Sequence, residues 1–189
     1  MSAETRRPED RGPSGARRPG PSEALIRTGL PSAEDLERVR PSAERLTHGA
    51  VAVLECFQRI PCDPCASSCH HGAIAAFADI NDLPSMDAER CNGCGLCVAR
   101  CPGLAIFIVD EHHAPGEALI KLAYEFLPLP ARDQVVTALD RAGREVGQAR
   151  VVRVQRPKEK TDTPVVWITV PKDLAWTVRH IKVEVSHGA

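Results

Sequence analysis

Eight cysteines fall between residues 56 and 101 of a 189-residue chain, and none lies elsewhere. They form two groups, Cys56, Cys62, Cys65 and Cys69, then Cys91, Cys94, Cys97 and Cys101. An even number would suit a disulfide framework. The N-terminus MSAETRRPEDRGPSGARRPG, however, has no apolar run for a signal peptide, and its Arg-Arg pairs have no hydrophobic segment behind them. This indicates a reducing cytoplasm, where closely spaced cysteines hold metal more often than they form disulfides. No stretch approaches the roughly eighteen apolar residues of a membrane span.

The rest of the chain divides around these cysteines. Residues 1–24 are dense in Pro, Gly, Ser and Arg and are expected to be a disordered tail. Residues 25–48 contain a short repeat, PSAEDLERVR then PSAERLTHGA, with Ser32 and Ser42 at helix N-cap positions, and read as a helical arm or solvated linker. Residues 49–111 hold the cysteines between two apolar, β-branched runs, AVAVLEC and LAIFIVD, with a short helix expected at GAIAAFADI and a turn at NDLPSMD. This segment is acidic. Residues 112–189 alternate in polarity instead: IKLAYEF puts Ile120, Leu122, Tyr124 and Phe126 on one face, a hairpin turns at Asp140 to Gly143, and VVWITV and IKVEV supply further strands. Short strands joined by turns predict a small antiparallel β-barrel or rolled sheet, and the fold class expected for the whole is α+β. Arg150, Arg153, Arg156, Lys158 and Lys160 are basic but have few aromatic partners for stacking, which weighs against nucleic acid.

The run CNGCGLCVARCP, residues 91–102, has C-x2-C-x2-C-x3-C-P spacing. Three closely spaced thiolates on a tight loop can each reach one iron of a cubane cluster, and the fourth cysteine of such a run ligates a second cluster. Gly93 and Gly95 let the backbone turn there, and Pro102 bends the chain away. Zinc takes four ligands as two separated pairs, which this run does not match. Cys62, Cys65 and Cys69 repeat the last three positions of the spacing, but the expected first cysteine is Arg59, and Cys56 lies further upstream. A loop bulging over Gln58, Arg59 and Ile60 would let Cys56 reach the same centre. Both groups continue as C-x-x-x-A-I, Cys69 to Ile74 and Cys101 to Ile106, so they are halves of an internal repeat with His70 in the proline slot. The His70 N–H, absent in proline, is a candidate donor toward cluster sulfur.

On these motifs, residues 49–111 resemble a two-cluster bacterial-type ferredoxin domain. The resemblance implies two [4Fe–4S] clusters with crossed ligands. Cys56, Cys62, Cys65 and Cys101 would hold one, and Cys91, Cys94, Cys97 and Cys69 the other. The wording ECFQRIPCDPCASSC also resembles small iron–sulfur subunits of flavin-dependent amino or imino acid dehydrogenases, which implies a flavin-containing dehydrogenase partner and a hetero-oligomer. The chain has no G-x-G-x-x-G, P-loop, catalytic triad pattern or H-E-x-x-H. The expected role is therefore a non-catalytic, cytoplasmic electron-transfer subunit of an oxidoreductase. A stand-alone ferredoxin and a zinc or cysteine-rich partner-binding module are the alternatives.

Overall fold

A computed structural model describes residues 20–156 and 162–184; the expected tail over 1–19, Lys158, Lys160 and the end of the last expected strand lie outside the described residues. Three short helices come first, α1 (Glu23–Thr28), α2 (Ala33–Glu37) and α3 (Ala43–Thr47). Strand β1 (Val51–Leu54) leads into the cysteine loops, which carry α4 (Pro64–Ser67) and α5 (Leu96–Arg100). Six strands follow: β2 (Ile106–Ala114), β3 (Glu117–Ala123), β4 (Val135–Leu139), β5 (Glu145–Gln155), β6 (Val165–Pro171) and β7 (His180–Lys182). All seven form one antiparallel sheet in the order β1-β2-β3-β6-β5-β4-β7. The sheet is open, with β1 and β7 at its edges, and not the closed barrel that was one of the two expected forms. No helix among the described residues is long and apolar enough to cross a membrane.

The sheet is buried on both faces where it meets the cysteine loops. Side chains alternate along a strand, and in β1 and β2 this sends Val53, Phe107 and Val109 to one side and Ala52, Leu54, Ile106 and Ile108 to the other. The first set joins Ile120, Leu122, Val136, Val151, Ile168 and Ile181 in a core formed by the sheet itself. The second packs with Ala123, Val165, Val98, Ile74, Cys65 and Cys97 under the loops. Strands from residues 117–171 thus help to floor the cysteine loops, and β2 runs straight through the boundary expected at 111/112. His112 and His113 lie at the exposed end of that strand. The helix expected at GAIAAFADI is replaced by extended chain, in which Ile74 bridges Met86 and Ala75 N–H donates to Ser85 O at 2.9 Å. Burying Ile74 against the loops requires this path.

The N-terminal arm packs on its own chain. Pro-Ser recurs at 21, 31 and 41, and Ser22, Ser32 and Ser42 each cap a helix by accepting from the N–H three residues on. The first copy lies inside the expected tail, so ordered structure begins at least two residues before residue 25. Asp35 Oδ2 links two copies, accepting from Ser22 Oγ at 2.6 Å and Ser32 Oγ at 2.8 Å. Arg40 then lies over the Trp176 ring, 4.3 Å from its centroid, tying the arm to the far side of the sheet.

Glu55, just past β1, brings the two sheet edges together. Its carboxylate accepts from Arg141 Nε at 2.8 Å and from Arg179 Nε at 2.7 Å, and Arg179 directly precedes β7. The Glu55 and Arg179 side chains are 7% and 3% exposed. Burial alone would raise the Glu55 pKa, but the Arg141 hydrogen bond and the Arg179 charge outweigh it and hold the carboxyl below its usual range. Burial pulls Arg179 down to about 10, which leaves it charged at neutral pH. Removing one partner of a buried pair costs about 3–5 kcal/mol. Glu55→Gln is expected to lower unfolding stability by about that amount at pH 7 in urea titrations. A carboxyl with a lowered folded pKa stabilises above its unfolded pKa and loses that contribution as pH falls. The gap between wild type and variant should therefore close below about pH 4.

Candidate metal centres

The two cysteine groups are built on the same local plan. Pro64 at the first helical position starts α4, and Gly95, in the left-handed region at φ 90°, starts α5. Cys65 and Cys97 sit on these helices, each 8% exposed. Cys69 and Cys101 follow as the helices end, their N–H groups donating to Ala66 O at 3.1 Å and Val98 O at 3.4 Å. Three residues later Gly72 and Leu104 both adopt positive φ, 60° and 51°. That turn aims the next N–H back at sulfur: Ala73 N–H lies 3.2 Å from Cys69 Sγ, and Ala105 N–H 3.4 Å from Cys101 Sγ. The C-x-x-x-A-I repeat is therefore a repeat of backbone geometry as well as of sequence.

Back to back, the halves form two cavities. One is lined by Cys69, Cys91, Cys94 and Cys97 with His71, Asn92, Ile74, Met86 and Ile108. The other is lined by Cys56, Cys62, Cys65 and Cys101 with Ile60, Phe77, Asp82 and Ile106. Each takes three cysteines from one group and the last cysteine of the other. Cys56 is among them despite its wider spacing. The first cavity reaches the surface at Cys94, and the second near Ile60, both exposed.

His70 does not face these cavities. It lies with Pro64, Ser67 and Arg100 in a separate depression, while His71 lines the first cavity and its Nε2 is 2.9 Å from Asn92 Nδ2. The N–H that reaches Cys69 sulfur belongs to Ala73. The loop from Cys91 to Cys94 presses on the start of β1. Cys91 Sγ accepts from Ala52 N–H at 3.4 Å and from Gly93 N–H at 3.5 Å. Gly93 has φ +67°, and a Cβ there would lie 2.5 Å from Ala50 Cβ and 2.9 Å from its backbone. Two buried cations escaped the sequence reading. Arg45 occupies the repeat position of Asp35 and donates through Nη2 to Cys91 O at 2.6 Å, while Lys121 Nζ donates to Gly93 O at 2.7 Å. Lys121 stands on the face of β3 opposite the apolar one, where alternation alone suggests solvent.

The donor set suits a polynuclear centre. Burial, and next the neighbouring sulfurs Cys101 and Cys91 respectively, push Cys65 and Cys97 up to about 12. Burial and neighbouring sulfur thus disfavour the thiolate of each, and a cationic metal–sulfide core would favour it. Among the described residues no three His, Cys, Asp or Glu side chains converge on a point where one metal ion could sit. The cysteines instead surround two spaces, as ligands to separate irons of a cluster must.

Residues 58–105 match the family model of the 4Fe-4S dicluster domain. The ferredoxin-type protein NapF of Escherichia coli (strain K12) is 36% identical over 52 residues, which cover 26% of this chain and 32% of that protein. The thiosulfate reductase electron transfer subunit PhsB of Salmonella typhi is 38% identical over 61 residues, covering 32% of this chain and 30% of PhsB. The chain thus spans about a third of the length of the curated relatives it matches. No solved structure matches it significantly.

The contact at Gly93 yields a direct test. Gly93→Ala forces a side chain into Ala50 and into left-handed backbone that itself costs about 1–2 kcal/mol. With clusters in both cavities, iron per purified chain would fall by roughly half, since four of the eight cysteines are affected. Gly103→Ala, at a position with nothing within 4 Å, should leave iron content unchanged.

Proposed function

We propose that this chain is an electron-transfer subunit carrying two [4Fe–4S] clusters, one held by Cys56, Cys62, Cys65 and Cys101 and the other by Cys69, Cys91, Cys94 and Cys97. The observation that carries the reading is the division of eight cysteines into two cavities of four, each with one cysteine from the opposite half. Clusters held there would supply one-electron chemistry without bond rearrangement in the protein. The chain's own residues do the rest. Sulfurs bind, Ala52, Ala73, Gly93 and Ala105 N–H groups hydrogen-bond to sulfur, and Ile106, Ile108, Leu54 and Val98 exclude water from one side. Shared apolar walls keep the two centres adjacent, so an electron arriving at one can pass to the other.

The partner is a flavin-containing dehydrogenase, with which the chain forms a cytoplasmic hetero-oligomer. The resemblance of ECFQRIPCDPCASSC to subunits of such enzymes supports this. The arm and the sheet beyond β2 also supply structure that the cysteine loops alone do not need. The electron transfer subunit among its relatives is consistent with a place in a larger oxidoreductase.

Anaerobically purified protein is expected to contain about eight irons with matching sulfide and, after dithionite, a paramagnetic signal with interacting spins. Cys56→Ser should reduce the stable iron content to about four. Zinc without visible colour would rule out the redox reading. Native pull-down should bring down a flavoprotein, and a colourless partner set without flavin would sink the dehydrogenase assignment while leaving the clusters intact.

A further inference from the structure

The two cavities share a backbone plan but not an electrostatic one. Beside Cys91 and Cys94, Arg45 and Lys121 are 4% and 6% exposed. All of the Arg45 guanidinium's hydrogen bonds go to carbonyls: Ala88 O at 2.7 Å, Gly49 O and Ala50 O at 3.1 Å, and Cys91 O at 2.6 Å. Lys121 Nζ binds Gly93 O at 2.7 Å and lies 3.8 Å from the centroid of the Trp167 ring. Neither forms an ion pair among the described residues. Burial draws the Lys121 pKa below its ordinary value, and the Cys94 sulfur and Asp110 carboxylate oppose this. An unpaired buried cation is costly unless something anionic answers it.

The other cavity differs. Arg59 is 33% exposed on its side chain and pairs with Asp82 at 3.1 Å, whose residue lines the cavity. Arg141 and Arg179 both clasp Glu55, and Arg179 lies over the Phe107 ring, on the sheet face turned away from the cysteines. Cations near the second cavity are therefore ion-paired with a carboxylate, whereas among the described residues those near the first are in no ion pair and the Asp110 carboxylate acts on Lys121 only at longer range.

We infer that Lys121 and Arg45 act as built-in counter-ions for the centre at Cys69, Cys91, Cys94 and Cys97, giving it the higher reduction potential of the two. This rests on the proposed two-cluster reading. Reduction adds a negative charge, and a nearby fixed positive charge stabilises the reduced form more than the oxidised one. An electron delivered at the Cys56, Cys62, Cys65 and Cys101 centre then passes to the other: the donor centre is oxidised by one electron and the centre at Cys69, Cys91, Cys94 and Cys97 is reduced by one. Lys121 and Arg45 are positioning residues and touch no reacting atom.

The test is a redox titration of the full, cluster-loaded protein followed by electron paramagnetic resonance, with iron content measured on each sample. Wild type should show two midpoint potentials. Lys121→Met, which keeps the apolar stem and removes the charge, should lower the higher one alone, shifting the electron distribution between the centres by on the order of tenfold. Lys121→Gln keeps a donor toward Gly93 O and should shift it in the same direction, so it also decides the matter should the Met variant fail to load iron. Lys121→Arg should preserve the wild-type gap. Neutral variants that retain both potentials, or that lower the lower one, overturn the inference. A wild-type preparation without iron and sulfide would instead overturn the reading on which it rests.

Discussion

Each cavity draws three cysteines from one loop and a fourth from the other half of the chain, and the rest of the architecture serves that exchange. Neither half can complete a set of four on its own. The loops must stand back to back with Cys69 and Cys101 reaching across, and this demands a rigid support that both halves touch. Helices α4 and α5 pack against each other, and the ridge formed by Ala52, Leu54, Ile106 and Ile108 lies beneath both. The sheet supplies a floor stiff enough to keep eight sulfurs in place.

An internal repeat ordinarily implies two similar environments. Here the turns at Gly72 and Leu104 and the N–H groups at Ala73 and Ala105 preserve the likeness, while the elements laid over the halves remove it. The arm brings Arg45 to one loop and β3 brings Lys121 to the same loop. Sequence outside the repeat thus differentiates two cavities that the repeat alone would make alike. The turns repeat, and the charge around them does not.

Much of this was legible in the sequence because cysteine spacing and turn chemistry are local. The strands at 51–54 and 106–109, the caps at Ser32 and Ser42 and the hairpin at Asp140 all follow from residues close in sequence. The cavities are lined by the same two sets of four that the crossed pattern groups together. What was hidden depended on distant packing. The Pro-Ser step at Ser22 looked like tail because its partner, Asp35, lies thirteen residues away. GAIAAFADI has helical composition, but Ile74 gains more by bridging Met86 under the loops. Lys121 lay on the polar side of an alternating strand, and only the sheet order reveals that this side faces the cysteine loops. His70 drew attention by breaking a motif, whereas the cavity is lined by its neighbour.

The strand Ile106–Ala114 also bears on how such a protein can be divided. Its first half lies beneath the cysteines and its second half pairs with β3, whose other partner is β6. A fragment stopped where the cysteine pattern ends would keep every sulfur yet leave Ile108 without the cover of Lys121 on its cross-strand side. It would also expose Val98 and Ala99 where Val165 and Trp167 now pack beside them in the same core. The minimal unit able to hold the cysteines in this arrangement is thus larger than the motif that announces it, and transplanting the motif alone would carry the ligands without their scaffold.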